Sequence, residues 1–195
     1  MNITRFQFEG FRNLKDNFIL PIDGINIIYG NNAQGKTNLL EGMWLFNGSR
    51  SFRGAKDNEL IGFDKEFTRL SIVFNSALRE QTAEILLTPS KKEVTLNGIK
   101  KNYVSELAGS MCSVIFSPEH LSLVKEGPSE RRKFIDSAIV QIRPRYMSLL
   151  TQYNQTVNQR NALLKEIPYK RELLDTLCVW DEHLSQLGGQ IIFER

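Results

Sequence analysis

The sequence has few of the residues that stabilise small folds through covalent bonds or metals. Among its 195 residues are only two cysteines, Cys112 and Cys178, and two histidines. Cysteines this far apart give neither a disulfide framework nor the spacing of a zinc site, and they suit a reducing compartment. No apolar run approaches the length of a membrane span, and the start lacks the pattern of a signal peptide. We therefore expect a cytoplasmic protein with no structural metal and no attachment to a membrane.

The sequence also has little net charge. The 25 Lys and Arg against 22 Asp and Glu give a net charge of +3, which is too small to indicate a nucleic-acid partner by itself. The excess is concentrated, however, because residues 125–145 hold six basic side chains and three acidic ones. Hydrophobic residues make up 41% of the sequence, enough for one substantial packed domain.

One motif organises the sequence. Residues 30–37 read GNNAQGKT and match G-x-x-x-x-G-K-[ST], the phosphate-binding loop. The apolar run at residues 25–29 predicts a buried strand before the motif, and an amphipathic pattern predicts a helix after it, to about Phe46. Glycines let the backbone bring its N–H groups close to phosphate oxygens, and the start of a helix attracts anions. The predicted nucleotide-binding residues are Gly30, Asn31, Asn32, Ala33, Gln34, Gly35, Lys36, Thr37 and Asn38.

Two side chains of the motif have distinct chemical roles. Lys36 is expected to reach the β- and γ-phosphates of a nucleotide as a point charge, and Thr37 is expected to place its hydroxyl on Mg²⁺. The motif therefore predicts a nucleotide that carries β- and γ-phosphates, together with Mg²⁺. The guanine-reading Asn-Lys-x-Asp string is absent from the sequence, which argues against a GTPase.

The remaining patterns predict an α/β fold with α+β character. Alternating apolar residues predict strands near residues 3–8, 18–22, 67–74 and 82–87, and Asn97-Gly98 predicts a hairpin turn. A further buried strand is predicted at residues 113–116, and Pro128 marks the start of a helix. From Pro144 onward, two long amphipathic helices with a break at Pro168 predict an antiparallel helical hairpin. We divide the chain into residues 1–115, holding the phosphate loop and an inserted antiparallel β layer, and residues 116–195.

Two strings imitate motifs of ABC-type ATPases. Trp180-Asp181-Glu182 resembles the acidic strand end of these enzymes, and Leu187-Gly188-Gly189-Gln190 resembles their signature. Their order is reversed relative to those enzymes, and the acidic string lies within a helical period. We interpret both as parts of the helical hairpin. The basic loop with Arg50 and Arg53 leaves two interpretations open, a solvated connector or an anion contact.

Several longer segments resemble the RecF family of bacterial recombination-mediator ATPases, which are related to the heads of SMC proteins. They include residues 11–13 (FRN), 30–41 (GNNAQGKTNLLE), 50–53 (RSFR), 128–136 (PSERRKFID) and 159–164 (QRNALL). The resemblance covers essentially the whole chain. It implies an ABC-type ATPase head, with lobe I carrying the phosphate loop and lobe II carrying a helical arm.

The resemblance also implies a function in DNA repair, replication restart and the SOS response. RecF-like proteins dimerise on ATP, bind single-stranded or gapped DNA, and help RecO and RecR load RecA. By position, Arg12 and Asn13 become candidate nucleotide contacts, and Arg50, Arg53, Arg143 and Arg145 become candidate DNA or anion contacts. For Arg131 and Arg132, pairing with acids on neighbouring helices is favoured over DNA contact or simple solvation.

The sequence departs from the family in two places. It stops at Arg195, before the family's signature and acidic strand, so we expect nucleotide binding without turnover. It also has no Gln near residues 117–119, where SMC-like heads place a Gln that contacts Mg²⁺. Glu119 or Ser117 is a candidate for that contact here. The alternative is that Pro118 simply starts a helix. Two alternatives from other classes remain open: a small-molecule P-loop kinase, and a fragment that only binds a partner.

Overall fold

The computed structural model describes residues 1–76, 79–118, 125 and 127–195. The chain separates into two compact units, Met1–Lys125 and Glu126–Arg195. The first unit contains a β-sheet and the phosphate-loop motif, and the second contains helices alone among its described residues.

The described part of the first unit contains one six-stranded sheet. Its strands pair in the order β2-β1-β3-β4-β5-β6, and every neighbouring pair is antiparallel. The predicted hairpin is confirmed, since Asn97 and Gly98 have φ angles of 53° and 75°, as a type I′ turn requires. The strands are β1 (Asn2–Glu9), β2 (Asn17–Ile19), β3 (Thr68–Ser76), β4 (Arg79–Leu87), β5 (Lys92–Leu96) and β6 (Ile99–Lys101).

The apolar core lies between this sheet and the helix that follows the phosphate loop. Helix α1 (Lys36–Trp44) continues into a short 3-10 turn (Leu45–Asn47), which confirms the predicted helix. Gly42 of α1 lies directly on the sheet, because a Cβ there would come within 2.9 Å of the Phe6 ring. The core residues of this layer include Phe6, Phe8, Phe11, Leu39, Leu45, Phe46, Leu70, Ile72, Phe74, Ile85 and Leu87.

Two predicted buried strands are wrong. Residues 25–29 and 113–116 form no strand, and Ile25, Tyr29, Val114 and Phe116 are 86%, 90%, 100% and 92% exposed. Their apolar, β-branched composition predicts burial, but an extended segment becomes a strand only when a neighbouring backbone pairs with it. None of the described residues supplies that pairing to either run.

The second unit consists of helices α2 (Pro128–Ile142), α3 (Arg145–Glu166) and α4 (Leu177–Glu194). Pro128 begins α2, as predicted. Helices α3 and α4 form the predicted antiparallel hairpin, in which Arg160 of α3 pairs with Asp181 near the start of α4. Asp181 therefore lies in a helix and is no strand-end carboxylate. No helix of the described ranges is both long and apolar enough to cross a membrane.

Candidate functional site

The phosphate-loop motif forms a tight turn that leads directly into α1. Gly30, Ala33 and Gly35 have φ angles of 145°, 62° and 89°, so the backbone repeatedly enters the left-handed region. The Lys36 side chain folds back over the turn, and its Nζ donates hydrogen bonds to the carbonyl oxygens of Gly30 (2.8 Å) and Asn31 (2.7 Å). An ammonium group and the positive end of a helix thus meet in one turn, which favours an anion.

A second turn, at residues 11–14, packs against the loop at Gly35. A Cβ on Gly35 would lie 2.4 Å from Leu14 Cδ2 and 2.9 Å from Asn13 Oδ1, so these side chains would have to shift, and the φ angle of 89° itself favours glycine. Asn13 Nδ2 donates to the Ala33 carbonyl at 2.8 Å, and Asn38 Nδ2 donates to Asn13 Oδ1 at 2.7 Å. The loop is therefore fixed by Asn13 and by α1, without a strand before it.

Arg12 binds a buried carboxylate of α1. Its Nε and Nη2 donate to Glu41 Oε2 (3.0 Å) and Oε1 (2.9 Å), and Glu41 is fully buried. The Ser51 hydroxyl also donates to Glu41 Oε1. Arg53 Nη1 lies 3.9 Å from Glu41 Oε2 and donates to Asn38 Oδ1 at 2.9 Å. Together with Lys36, this cluster has three cationic side chains and one anionic one, an excess that suits a phosphate group.

Glu41 and Ser51 are the residues of this cluster to which the sequence analysis gave no role. The available signal was an acidic residue within the apolar pattern of α1, followed ten residues later by a basic loop. A buried carboxylate requires a cationic partner, so this position could have been paired with Arg12 or Arg53. The identity of the partner depends on the turn at residues 11–14, which the sequence pattern does not specify.

The loop at residues 50–53 is attached to α1 at several points. Trp44 Nε1 donates to the Arg50 carbonyl at 3.0 Å, and the Trp44 and Phe52 rings meet edge to face with centroids 6.2 Å apart. The Arg50 side chain itself is exposed. Of the two arginines of this loop, Arg53 is the one connected to the nucleotide motif, since it donates to Asn38, which in turn donates to Asn13.

The remaining predicted contacts lie elsewhere. Arg143 forms an ion pair with Glu194 in the second unit, and Arg145 is exposed. Arg131 and Arg132 are also exposed and form no ion pair with a described residue, so the favoured internal pairing is not found. Glu119, the candidate Mg²⁺ contact, lies outside the described residues.

An open cavity of about 430 Å³ adjoins the turn at residues 11–14. At its edge the Asp16 carboxylate accepts hydrogen bonds from the Gly10 N–H (2.7 Å) and from Lys65 Nζ (3.1 Å). These two donors, the backbone one first, lower the pKa of Asp16 below its ordinary value. The cavity is lined by Gly10, Arg12, Asn13, Leu14, Lys15, Asp16, Phe63 and Lys65.

Comparison with known proteins gives one consistent result. No protein-family model matches the chain. It is 44% identical to the DNA replication and repair protein RecF of Acetivibrio thermocellus and 40% identical to RecF of Lachnoclostridium phytofermentans. Both alignments cover 100% of this chain but only 53% and 54% of the relatives, so the chain spans about half the length of the curated relatives it matches.

Solved structures agree with the sequence comparison. A structure of the recombination mediator protein RecF-ATP in the RecFOR pathway matches 97% of this chain and 52% of its own, with a TM-score of 0.94 and 41% identity. An Smc head domain from Pyrococcus furiosus, at 19% identity and a TM-score of 0.54, matches 98% of this chain and 56% of its own and shares the fold alone. The chain is therefore related to the RecF family over its full 195 residues, and its fold corresponds to about half of the α/β P-loop ATPase heads found in RecF and Smc.

Proposed function

We propose that this chain binds ATP on the loop at residues 30–37, as part of a RecF-type protein that acts on DNA in replication and repair. The observation that carries the proposal is the fold of the loop itself, with Lys36 closed over it at the start of α1. Similarity to a RecF structure with ATP supports the identity of the nucleotide.

The residues present fit a triphosphate. A Cβ on Gly30 would meet nothing within 4 Å, so space is open beside the loop. The ammonium of Lys36 bonds to two neutral carbonyls, and exchanging them for phosphate oxygens would add the attraction between opposite charges to each hydrogen bond. Thr37, exposed in the first turn of α1, is the residue that would hold Mg²⁺, which would offset phosphate charge. Asn13 and Asn38 would hold the loop in shape.

The proposal extends, through the family relationship, to the activities of the whole protein. These are ATP-dependent homodimerisation, binding of single-stranded or gapped DNA, and cooperation with RecO and RecR in loading RecA. Arg50 and Arg145 support a DNA contact, since both are exposed and pair with no described acid. Arg143 is a weaker candidate because Glu194 already neutralises it.

We further propose that the 195 residues bind nucleotide without turning it over. The acidic string at Asp181 and Glu182, which resembles a catalytic strand end, lies in helix α4, where Asp181 pairs with Arg160. An ATPase assay is expected to show no Lys36-dependent phosphate release. Release at an ordinary enzymatic rate would contradict this part of the proposal.

The test of the nucleotide site is a calorimetric titration of ATP with Mg²⁺ into the wild type, Lys36→Met and the control Lys100→Met. Lys36→Met is expected to weaken binding at least about tenfold, since it removes a charge-assisted bond to phosphate. Lys100, on the exposed strand β6, should be replaceable without effect. Equal affinity of all three would favour a fragment that only binds a partner. Transfer of phosphate to a metabolite by the monomer would favour the kinase alternative.

DNA binding is tested separately by fluorescence anisotropy with a gapped duplex. Contacts between arginines and phosphates release counterions, so affinity should fall steeply as salt rises from about 50 to 200 mM. Arg145→Ala should weaken binding and reduce the salt dependence, whereas Arg143→Ala should have a smaller effect. Affinity that is independent of salt would contradict this part of the proposal.

A further inference from the structure

We propose that Glu41 is a positioning residue of the nucleotide site. Its carboxylate fixes Arg12 and the loop at residues 50–53 around the phosphate loop, so that nucleotide binding and the conformation of the 50–53 loop depend on each other. This inference rests on the proposed nucleotide binding, but its first half can be tested without nucleotide.

The carboxylate of Glu41 is buried, and both of its oxygens accept hydrogen bonds. Oε1 accepts from Arg12 Nη2 and the Ser51 hydroxyl, and Oε2 accepts from Arg12 Nε with Arg53 Nη1 at 3.9 Å. A charge removed from water in this way is tolerated only when its partners stay in place. Glu41 therefore constrains Arg12 and Arg53, two cations that are far apart in the sequence, to one position beside α1.

A series of hydrogen bonds connects the partners of Glu41 to the phosphate loop. Arg53 donates to Asn38, Asn38 donates to Asn13, and Asn13 donates to the carbonyl of Ala33. Asn13 follows Arg12 in the sequence, and Arg12 itself binds Glu41, so both ends of the series are connected to Glu41. A phosphate group that shifts the loop would therefore disturb the bond from Asn13 to Ala33 directly and, through Asn13 and Asn38, the contacts of Arg53 in the 50–53 loop.

Arg12 keeps a donor for a ligand while it is held. Glu41 binds its Nε and Nη2, and Nη1 forms no hydrogen bond with any residue in the described part of the chain. The bidentate pair fixes the plane of the guanidinium, and its side chain is 20% exposed. Glu41 thus orients Arg12 without consuming all of its hydrogen-bonding capacity, which is the property of a positioning residue.

Glu41→Gln is the sharpest variant, because it keeps the size of the side chain and removes its charge. The new amide NH₂ would face a guanidinium or hydroxyl donor, so the bidentate pair with Arg12 cannot form. Ser51→Ala is a milder second variant that removes a single hydroxyl donor to Glu41. Glu84→Gln on strand β4 is the matched control, since its exposed carboxylate lies 3.8 Å from Arg69 Nε.

The nucleotide-free test uses Trp44 as the reporter, in a Trp180→Phe background that leaves one tryptophan. Trp44 contacts Phe52 and the Arg50 carbonyl, so release of the 50–53 loop should red-shift its emission and increase its quenching by acrylamide. We expect this change in Glu41→Gln, a smaller one in Ser51→Ala, and none in Glu84→Gln. Trp44 emission and quenching that stay unchanged in Glu41→Gln would overturn the proposal, whether or not the chain binds ATP.

The second test is a double-mutant cycle on ATP affinity with Glu41→Gln, Arg12→Ala and the double variant. Each single change is expected to weaken binding about tenfold, the value of one charge-assisted contact. If Glu41 acts through Arg12, the double variant should bind no more weakly than Arg12→Ala. Losses that multiply, or an unchanged affinity in Glu41→Gln, would overturn the positioning role. Binding that is insensitive to Lys36→Met would instead overturn the nucleotide site itself, and the tryptophan test would still decide whether Glu41 holds the loop.

Discussion

Two runs of the first unit both have a composition that favours a β-strand, but their surroundings are opposite. Strand β3 is paired on both sides, with β1 and β4, and its Leu70, Ile72 and Phe74 are fully buried. Residues 25–29 are richer in isoleucine, with three in five residues against one in the nine of β3, yet they pair with no described strand and Ile27 is 79% exposed. An apolar, β-branched pattern thus reports a preference for burial, whereas the presence of a partner backbone decides whether a strand forms.

The phosphate loop follows the unpaired run and is nevertheless held in place. Its restraints come from the Asn13 side chain, from the contact of Leu14 with Gly35, and from α1. The shape of the loop is therefore a property of the turn at residues 11–14 and of the helix. This separates the geometry of the site from pairing of the strand that the motif predicts before it.

The largest expected difference between the two runs is in packing energy. Ile72→Ala should lower the free energy of unfolding by about 2–5 kcal/mol, because it leaves a cavity in the core. Ile27→Ala should change it by no more than about 0.5 kcal/mol, since the side chain is exposed. Urea denaturation followed by circular dichroism measures both. Equal losses in the two variants would show that residues 25–29 are buried and paired in solution.

Gly48 and Gly24 allow the same comparison between a packed and an open position of the backbone. Gly48 and Gly24 have similar φ angles of 85° and 91°, but a Cβ on Gly48 would lie 2.7 Å from the Ala108 nitrogen, whereas one on Gly24 would meet nothing within 4 Å. Both alanine variants bear the left-handed strain of about 1–2 kcal/mol. Gly48→Ala should cost about 1–3 kcal/mol more through overpacking. The same denaturation experiment checks this, and equal costs would argue against the contact with Ala108.

The smallest effect concerns a tyrosine of the second unit. Tyr146 is buried, and its hydroxyl donates a hydrogen bond to Asp136. Burial is the larger cause and this hydrogen bond the second, and together they raise the pKa of Tyr146 to about 12. Because the folded-state pKa exceeds the unfolded value of about 10, the stabilisation is complete below pH about 10 and is lost as pH rises through about 12.

An alkaline titration of tyrosine absorbance near 295 nm measures this step. Tyr146→Phe should remove a step near pH 12, and Tyr29→Phe, which changes an exposed ring, should leave it in place. A titration of the wild type without any step above pH 11 would contradict the enclosed position of Tyr146.

Local patterns predicted much of this fold. The strands at residues 67–74 and 82–87, the Asn97-Gly98 turn, the helix start at Pro128 and the helical hairpin are confirmed, since each depends on residues close in sequence. The two wrong strands depended on pairing partners, which no local pattern contains. The motif likewise located the loop, but not the cluster of Arg12, Glu41, Ser51 and Arg53, because that cluster depends on how a distant turn packs against α1.

Hydrogen exchange of backbone amides, followed by mass spectrometry with and without ATP, examines both runs and the loop in one experiment. Without nucleotide, residues 25–29 should exchange quickly while residues 68–76 are among the slowest. With ATP, residues 30–37 should gain protection in the wild type but not in Lys36→Met, and residues 68–76 should not change. A loop that gains no protection at saturating ATP, or a run at residues 25–29 as slow as β3 before ATP is added, would contradict the account.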